Sequence, residues 1–356
     1  MADNSENARA LAAPVDVAVF DTRIAAPDEQ FGLWRDSIGV LFDIDAGPDA
    51  GRTGYRARLD SAMAGEAMIT RVQAGAQAFS RSMLRSYRDG IEGVMFQVFT
   101  RGNVSRRDDA RTIAAENALI GFDLTRDMQT ANSDFDLVSV IFPRDTIESR
   151  LGNLSDLHLE AVASDGALAQ LTAGFLVSLQ RMIGRMDTGE AAAAVDAAAD
   201  LIAECYRGQT RRLDTSESVR IAAVTRAKSF IRERILAGEP VEVSTVSRAL
   251  DVSRATLYRA FEPIGGVAAF IRAERLRACL TDIARLARGE IAVTLGELAM
   301  RRGFESDAQF SRAFKAEFGM TPSEARRALA KAPGFAGEIG EADRRYELWV
   351  RAVGAA

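Results

Sequence analysis

Histidine, cysteine and long apolar runs are scarce in this sequence. The 356 residues include one histidine, His158, and two cysteines, Cys205 and Cys279. A histidine-based metal centre needs several such ligands, and a Ser-His-Asp triad would have to use His158, so we expect that residue to be structural or exposed. The cysteines lie far apart in helical patterns, which excludes a disulfide framework and a metal knuckle, and we expect two small buried apolar side chains. No cofactor is expected.

Nothing in the sequence suggests a membrane or secreted protein. No stretch approaches the roughly 18 apolar residues that a membrane-spanning helix needs. The first residues, MADNSENARALAAPVD, lack the basic and then apolar pattern of a secretory signal. We therefore expect a cytoplasmic protein without a membrane partner.

The charge is unevenly distributed along the chain. The whole sequence has 45 basic and 50 acidic residues, a net charge of −5, whereas residues 216–330 contain 19 Lys and Arg against 14 Asp and Glu. A basic segment in an acidic protein indicates an anionic partner, although charged surfaces are often only solvated. The length allows two domains with separate cores.

The first half of the chain combines a short helix with many short strands. Residues 1–30 are polar and are expected to be loosely ordered at their start, and FGLWRDSIGVLF, 31–42, has the spacing of an amphipathic helix. Five segments read as strands: YRARLDSAM (55–63), AMITRVQAG (67–75), GVMFQVFTRG (93–102), NALIGFD (117–123) and FDLVSVIFP (135–143). Such a series predicts a sandwich or small barrel over about 31–160.

A helical hairpin is predicted at about 165–207, broken at Gly189. Its first helix carries an apolar stripe of Leu168, Leu171, Phe175, Leu179, Met182 and Met186. This stripe either packs on the barrel or forms the seam of a homodimer. Residues 1–210 would thus be a sensor and dimerisation domain, 208–218 a polar linker, and 331–356 a tail that docks through Trp349 or is disordered.

The C-terminal part contains an internal repeat. VSTVSRALDVSRATLYRAF, 243–261, aligns with LGELAMRRGFESDAQFSRAF, 295–314, with one extra turn residue in the second copy. Each copy has a small residue where two helices cross, a turn residue suited to unusual backbone angles (Asp251 or Gly303), and a serine N-cap. This is the pattern of a helix-turn-helix.

The second helix of each copy has one apolar and one polar face. Leu257 and Phe261, or Phe310 and Phe314, would anchor the helix, which leaves the polar face free for a DNA major groove. The predicted DNA contacts, including phosphate contacts at the helix starts, are Ser253, Arg254, Ala255, Thr256, Tyr258, Arg259, Ser306, Asp307, Ala308, Gln309, Ser311, Arg312 and Lys315.

Residues 219–330 resemble the DNA-binding domain of the AraC/XylS family of bacterial transcription regulators. The resemblance is carried by the two motifs, by FIRAERLRACL (270–280) and by GFESDAQFSRAFKAEFGMTPSEAR (303–326). It implies two helix-turn-helix subdomains joined by a long helix, with recognition helices at about 254–262 and 307–318. Pro263 and two glycines predict an early end to the first of these helices, and Asp251 replaces the usual turn glycine.

The N-terminal region resembles, less specifically, the AraC-binding-like sensor domains of the same family. The resemblance implies an α+β chain: a cupin-like β-barrel or sandwich with a helical hairpin, followed by an all-α domain with two helix-turn-helix motifs. It further implies a bacterial, nucleoid-associated DNA-binding regulator, an activator that would also meet RNA polymerase, a homodimer, and a small-molecule or partner signal sensed by the N-terminal domain. The residues that could line a pocket for such a molecule, or could instead form core, are Trp34, Phe79, Tyr87, Phe96, Phe99 and Phe122. Arg81, Arg85 and Arg88 could meet an acidic ligand or form a solvated face.

Three alternatives come from other classes of protein. The helix-turn-helix pair could serve protein interaction without touching DNA. A cupin-type metal enzyme fused to a DNA-binding module would need histidines, and residues 55–142 contain none. An alkyl-transfer DNA-repair protein would need an activated cysteine in a polar setting. We therefore expect a protein that is not an enzyme.

Overall fold

Two antiparallel sheets face each other in the N-terminal half of the computed structural model. The structure describes residues 14–47, 54–330 apart from 109, 153, 155–156, 163, 212–214, 263–264, 288 and 290, and residues 343–354. The first sheet has seven strands in the order β1 (Val17–Asp21), β3 (Ala57–Ala64), β4 (Ala67–Ala74), β11 (Phe135–Phe142), β6 (Val94–Arg101), β9 (Leu119–Asp123) and β12 (Glu160–Val162). The second has five, in the order β2 (Asp43–Asp45), β5 (Gln77–Arg81), β10 (Met128–Asn132), β7 (Val104–Arg106) and β8 (Thr112–Ala114).

The five predicted strands are confirmed and correspond to β3, β4, β6, β9 and β11. The start of residues 1–30, which was expected to be loosely ordered, lies outside the described residues. Strand β1 was not predicted; it pairs with β3 and buries Phe20 completely. A 3-10 turn, Thr22–Ile24, follows β1. The predicted helix at 31–42 is shorter, α1 (Gln30–Ile38), and two further short helices are α2 (Met83–Asp89) and α3 (Arg144–Leu151).

The seven-stranded sheet is covered on both faces because its strands alternate between two cores. On β11, Leu137 and Ile141 face the second sheet, whereas Val138 and Val140 face the helices outside. The outer cover is a hairpin of α4 (Ala167–Met182) and α5 (Thr188–Arg211), joined through a 3-10 turn at Ile183–Arg185. The hairpin therefore packs on the sheets, but mainly through residues outside the predicted stripe of α4.

Two details of the predicted hairpin are wrong. Gly189 lies in the first turn of α5, and the break comes earlier, at residues 183–187. The face of α4 that meets the sheet consists mainly of Ala169, Thr172, Ala173, Leu176 and Leu179, because small side chains allow a close approach. Of the predicted stripe, only Leu179 is fully buried; Phe175 and Met186 are partly buried, and Leu168, Leu171 and Met182 are 41%, 66% and 44% exposed.

The predicted linker 208–218 is largely helical. Helix α5 continues to Arg211, and α6 (Thr215–Leu236) begins after three intervening residues. Gln and Arg are good helix formers, so a polar composition alone does not indicate a linker. Residues 212–214 lie outside the described ones.

The C-terminal domain has two small cores that share one long helix. The helices are α7 (Val243–Ala249), α8 (Arg254–Phe261), α9 (Val267–Ala287), α10 (Leu295–Arg301), α11 (Asp307–Phe318) and α12 (Pro322–Leu329). Val267 and Ile271 of α9 belong to the core of the first motif, and Leu280 and Ile283 belong to that of the second. Helix α9 is thus the connecting helix that the resemblance implied.

The tail ends in a docked helix, α13 (Arg345–Gly354). Tyr346, Val350 and Val353 are buried in the inner core of the sandwich, and Trp349 packs against that core while partly exposed. Docking is therefore confirmed for this segment, although Trp349 is a secondary contact. Residues 331–342 lie outside the described ones. Within the described chain, no helix combines the length and apolar character needed to cross a bilayer.

Candidate DNA-binding surface and sensor cavity

The first helix-turn-helix consists of α7 and α8. The hydroxyl of Ser253 accepts a hydrogen bond from the Thr256 N–H at 3.0 Å and so caps the start of α8. Leu257 and Phe261 are 2% and 0% exposed, and Phe261 packs edge-on against Phe270 of α9. The helix is therefore anchored to its own domain by one face only.

The second helix-turn-helix consists of α10 and α11 and repeats these features. The hydroxyl of Ser306 accepts from the Gln309 N–H at 3.2 Å. Phe310 and Phe314 are 2% and 0% exposed and pack edge-to-face with ring centroids 5.5 Å apart. A capping box between Thr294 and Glu297 starts α10 and fixes the helix that supports α11.

The two turns contain the backbone conformation that the repeat predicted. Asp251 has φ +53° and Gly303 has φ +81°. Asp is among the few residues other than glycine that adopt this left-handed region, because its short polar side chain can bond locally. The replacement of the usual glycine therefore leaves the turn intact. The hydroxyl of Ser247 closes the turn at Asp251 by donating to the Val252 carbonyl at 2.6 Å.

The structure leaves the predicted recognition residues on the outer faces of α8 and α11. Of the thirteen, twelve are exposed and Ser311 is partly buried: Ser253, Arg254, Ala255, Thr256, Tyr258, Arg259, Ser306, Asp307, Ala308, Gln309, Ser311, Arg312 and Lys315. Helix α8 ends at Phe261, as its following proline predicted, whereas α11 runs to Phe318 and ends at Gly319 in the left-handed conformation. Contact with DNA remains a prediction for each of these residues.

Two arginines that the pattern did not reveal tie the motifs together. Arg275, on α9, donates to the Val241 carbonyl at 2.6 Å, before α7, and to the carbonyl of the turn residue Gly303 at 3.4 Å. Arg302 donates to Asp282 of α9 at 2.8 Å and to the carbonyl of Ile235 at the end of α6. Each guanidinium spans groups that are distant in sequence, so no local signal could have identified it.

A cavity of about 60 Å³ lies between the two sheets. Its walls are mainly apolar, and α1 and α13 contribute Trp34, Ile38, Tyr346 and Val350. Among the described residues, no charged side chain lines it. Of the aromatic residues suggested for a pocket from the sequence, Trp34, Phe79 and Phe122 line the cavity.

The remaining pocket candidates lie elsewhere. Phe96 faces the helical hairpin on the other side of the sheet, and Phe99 belongs to the inner core without lining the cavity. The side chains of Tyr87 and Arg88 lie outside the described ones.

A row of polar side chains crosses the floor of the cavity. Thr70, Ser139 and Gln97 are direct neighbours on β4, β11 and β6, because Ser139 pairs in register with both of the others. Thr70 also donates to Ser61 on β3 at 3.0 Å. The described hydrogen bond of the Gln97 amide is to the Met95 sulfur at 3.6 Å, a weak acceptor. These groups can orient a bound molecule by hydrogen bonds.

Arg81 and Arg85, considered as contacts for an acidic ligand, are structural. Arg81 is 1% exposed, forms an ion pair with Asp89 at 2.9 Å, and donates to the carbonyls of Leu41, Leu124 and Ile91. Arg85 pairs with Asp43 at 2.6 Å. The expectation that these side chains form a solvated face is wrong for Arg81, because its five donors are used inside the fold.

His158 is a structural residue, as expected. Its Nδ1 accepts from the Asp123 N–H at 3.2 Å, and Nε2 lies 3.0 Å from the Asp127 carbonyl. Burial, together with the nearby Arg126, lowers its pKa to about 4. Within the described residues, no group of three or more His, Cys, Asp or Glu side chains is arranged to hold a metal ion.

Both cysteines are buried and free. Burial raises the pKa of each thiol, to about 12 for Cys279. The thiolate that an alkyl-transfer reaction would need is therefore disfavoured at both positions.

Helix α2 of the sandwich domain contacts the DNA-binding domain. Met83 is buried with Leu276 and Cys279 of α9 and Leu329 of α12. The backbone N–H of Met83 donates to the Asp127 carboxylate at 2.7 Å, which fixes the start of α2. The sequence analysis did not identify this joint, because Met83 lies in a short segment that resembles a loop between strands.

An α+β domain with a cavity, joined to two capped helix-turn-helix motifs, defines a two-domain DNA-binding transcription regulator. Residues 246–328 match the family profile described as "Helix-turn-helix domain". The chain is similar to the transcriptional activator NphR of Rhodococcus sp, with 23% identity over 272 residues that cover 75% of this chain and 79% of NphR. These matches confirm the resemblance to AraC-like transcription regulators.

Two solved structures are also similar to the chain. The AraC-like transcriptional activator CuxR has 22% identity and a TM-score of 0.49, over 73% of this chain and 94% of CuxR. Wild-type ToxT from Vibrio cholerae strain SCE256, with unsaturated fatty acid bound, has 11% identity and a TM-score of 0.36, over 74% of this chain and 95% of ToxT.

Proposed function

We propose that the protein is a transcription activator that reads DNA through α8 and α11 and responds to a small molecule held between its two sheets. The observation that carries the proposal is the pair of N-capped helices, each pinned by one buried apolar face with its polar face exposed. Arg259 and Arg312 occupy equivalent positions on the two outer faces and are suited to bidentate contact with guanine.

The spacing of the two motifs is compatible with successive major grooves. Helix α9, which joins the two cores, has 21 residues and is therefore about 30 Å long. One turn of B-DNA is of the same order, about 34–36 Å. The excess of basic over acidic residues in 216–330 favours phosphate contacts, which supply much of the affinity of such proteins.

The proposed DNA contacts are tested on sites selected from a random DNA pool. Fluorescence anisotropy at fixed salt should show that Arg259→Ala and Arg312→Ala each weaken specific binding by about 1–3 kcal/mol, with relaxed preference at separate base pairs. Arg181→Ala is the control, because this exposed arginine lies on α4 and its loss changes the net charge equally. Failure to enrich any sequence at low salt would favour the interaction module without DNA.

The proposed effector is a neutral molecule with an apolar body and one or two hydrogen-bonding groups. The cavity offers Thr70, Ser139 and Gln97 as partners in a wall that is otherwise mainly apolar. A carboxylate buried there would lack a charged partner among the described residues, and an unpaired buried charge is strongly unfavourable. A thermal-shift screen of the full chain should therefore favour neutral ligands over matched carboxylates.

We also propose that the exposed apolar face of α4 forms a homodimer seam. Leu168, Leu171 and Met182 remain substantially exposed in one chain, and they lie close to Phe175 on the helix surface. Light scattering should give a dimer mass for the wild type and a lower mass for Leu171→Asp. Gln170→Asp, which places the same charge on another face of α4, should remain dimeric. Unchanged mass in Leu171→Asp would exclude this face.

A further inference from the structure

The C-terminal helix α13 occupies the mouth of the sensor cavity. Tyr346 is 2% exposed, Val350 is 0% exposed, and both side chains line the cavity. The Tyr346 ring lies edge-on to Phe20 of β1, with centroids 6.2 Å apart. The helix packs against β3, β4 and β11, the strands that carry Thr70 and Ser139. The apolar face of α13 therefore fills space between the sheets.

A polar clamp holds the first turn of α13 at the rim. Arg345 donates to the Val17 carbonyl at 2.6 Å and forms an ion pair with Asp343 at 2.7 Å. Ser37 of α1 donates to Glu347 at 3.0 Å and forms a hydrogen bond with the Tyr346 hydroxyl. The clamp is partly exposed, so it fixes the position of the helix without enclosing it in the fold.

The docked helix leaves too little room for an ordinary effector. The residual cavity measures about 60 Å³, whereas pockets for small molecules usually have about 300–1,000 Å³. The walls formed by the two sheets are held by antiparallel hydrogen bonding between neighbouring strands, which makes each sheet resistant to expansion. Helix α13 has ten residues, too few for a stable helix on its own, and its stability depends on docking. It is therefore the part of the wall that can leave most easily.

We propose that α13 is a tethered occupant of the effector cavity and that a neutral, mainly apolar effector displaces it. The inference rests on the effector site proposed above and adds a competitor from the same chain. Because α13 follows the DNA-binding domain, its docking is a second connection between the two domains, besides the contact of α2 with α9. Binding of the effector removes this connection. The apparent association constant for the effector is then the intrinsic constant multiplied by the fraction of molecules in which α13 is undocked.

The test uses the full chain and a neutral fluorescent probe, N-phenyl-1-naphthylamine. Val350→Asp places a charge at a fully buried position and should release the helix, whereas Leu348→Asp places the same charge at a position that is 58% exposed. We expect the probe to bind Val350→Asp at least tenfold more tightly than the wild type or Leu348→Asp. Arg345→Glu breaks only the exposed bonds of the clamp and should give an intermediate gain. This variant leaves the core unchanged, so it shows whether the gain in Val350→Asp comes from misfolding.

Hydrogen exchange distinguishes displacement of α13 by the probe from binding of the probe with α13 still docked. Saturating the wild type with probe should accelerate amide exchange in residues 343–354, because the probe and the helix compete. Slower exchange there, or equal probe affinity in the wild type and in a folded Val350→Asp protein, would overturn the proposal. The 8-sulfonate of the same probe should bind at least tenfold more weakly than the neutral compound, and equal binding of the two would contradict the neutral effector.

A third substitution separates the failure of this inference from failure of the effector site. Ser139→Leu fills the cavity floor and should abolish the gain that Val350→Asp produces. If the double variant still binds the probe, the probe lies elsewhere, and the proposed effector cavity is wrong as well. If Ser139→Leu blocks the probe but Val350→Asp has no effect, the cavity stands and the role of α13 is refuted.

Discussion

The single histidine allows one part of the pH dependence of folding to be assigned to one side chain. His158 bonds the backbone of the segment 123–127, and Asp127 in that segment fixes the start of α2 at Met83. Burial lowers the pKa of His158 to about 4 from its ordinary value of 6.5. The native protein therefore keeps this imidazole neutral at a pH where the unfolded chain protonates it.

The sign and size of the effect follow from linkage. As the pH falls from 7.5 to 4.5, the unfolded chain takes up a proton at His158 that the native chain mostly excludes, so the free energy of unfolding decreases. With pKa values of about 4 and 6.5, this residue should account for a loss of about 2–3 kcal/mol. This loss of stability is absent well above pH 6.5, and it grows as the pH falls from 6.5 toward 4.

His158→Gln removes the titrating group and retains an amide that can bond the same backbone. The free energy of unfolding of both proteins is measured with urea at pH 7.5 and 4.5. The carboxylates are common to both proteins, so their titration cancels when the two pH-dependent changes are compared. The wild type should lose about 2–3 kcal/mol more than the variant between these values. In the wild type, the imidazole C2 proton should titrate near pH 4 by NMR, without interference from another histidine. A titration near 6.5, or equal losses in the two proteins, would refute the reasoning.

Three further predictions concern the DNA-binding domain and the thiols. Gly303→Ala, at φ +81°, should destabilise the domain by about 1–2 kcal/mol in thermal unfolding, whereas Asp251→Gly, at φ +53°, should leave its stability unchanged or raise it. Arg275→Met should weaken specific DNA binding, because it removes the hydrogen bonds between the two motifs. Arg272→Met, at an exposed position on the same helix, is the control and should bind DNA more tightly than Arg275→Met. Equal affinities of the two variants would exclude a positioning role for Arg275. Both buried cysteines should resist alkylation in the native protein and react after unfolding, and rapid native labelling would contradict their burial.

The helix-turn-helix pair could be predicted because its signals are local and occur twice. Serine caps, the turn residues Asp251 and Gly303, and the spacing of leucine and phenylalanine lie within about 20 residues in each copy. The bonds made by Arg275 and Arg302 were not predictable, since their partners lie 20 to 67 positions away. Local sequence therefore specifies each motif, and long-range contacts fix how the two are placed.

The sandwich was predicted in outline, but its second sheet was not. Strands β5 and β10 carry Gln77, Thr130 and Asn132, polar side chains that are nevertheless buried between the sheets. A period-two pattern of apolar residues is weak where the buried face includes such groups. The same reason explains why the buried face of α4 was predicted incorrectly. Ala169 and Thr172 are buried there, whereas Leu168 and Leu171 are exposed. Burial that depends on a distant partner leaves little trace in local hydrophobicity.

Strand β5 and helix α2 form one continuous connection between the cavity and the DNA-binding domain. Phe79 lines the cavity, and two residues later Arg81 is fixed by buried bonds to backbone carbonyls on three sides. The next two residues cap and begin α2, whose Met83 is buried against α9. Because the buried ion pair between Arg81 and Asp89 links β5 to the end of α2, a shift of β5 at Phe79 should move α2 with it. An effector that enters as α13 leaves would then act on the DNA-binding domain at two places, by releasing one connection and by moving the other.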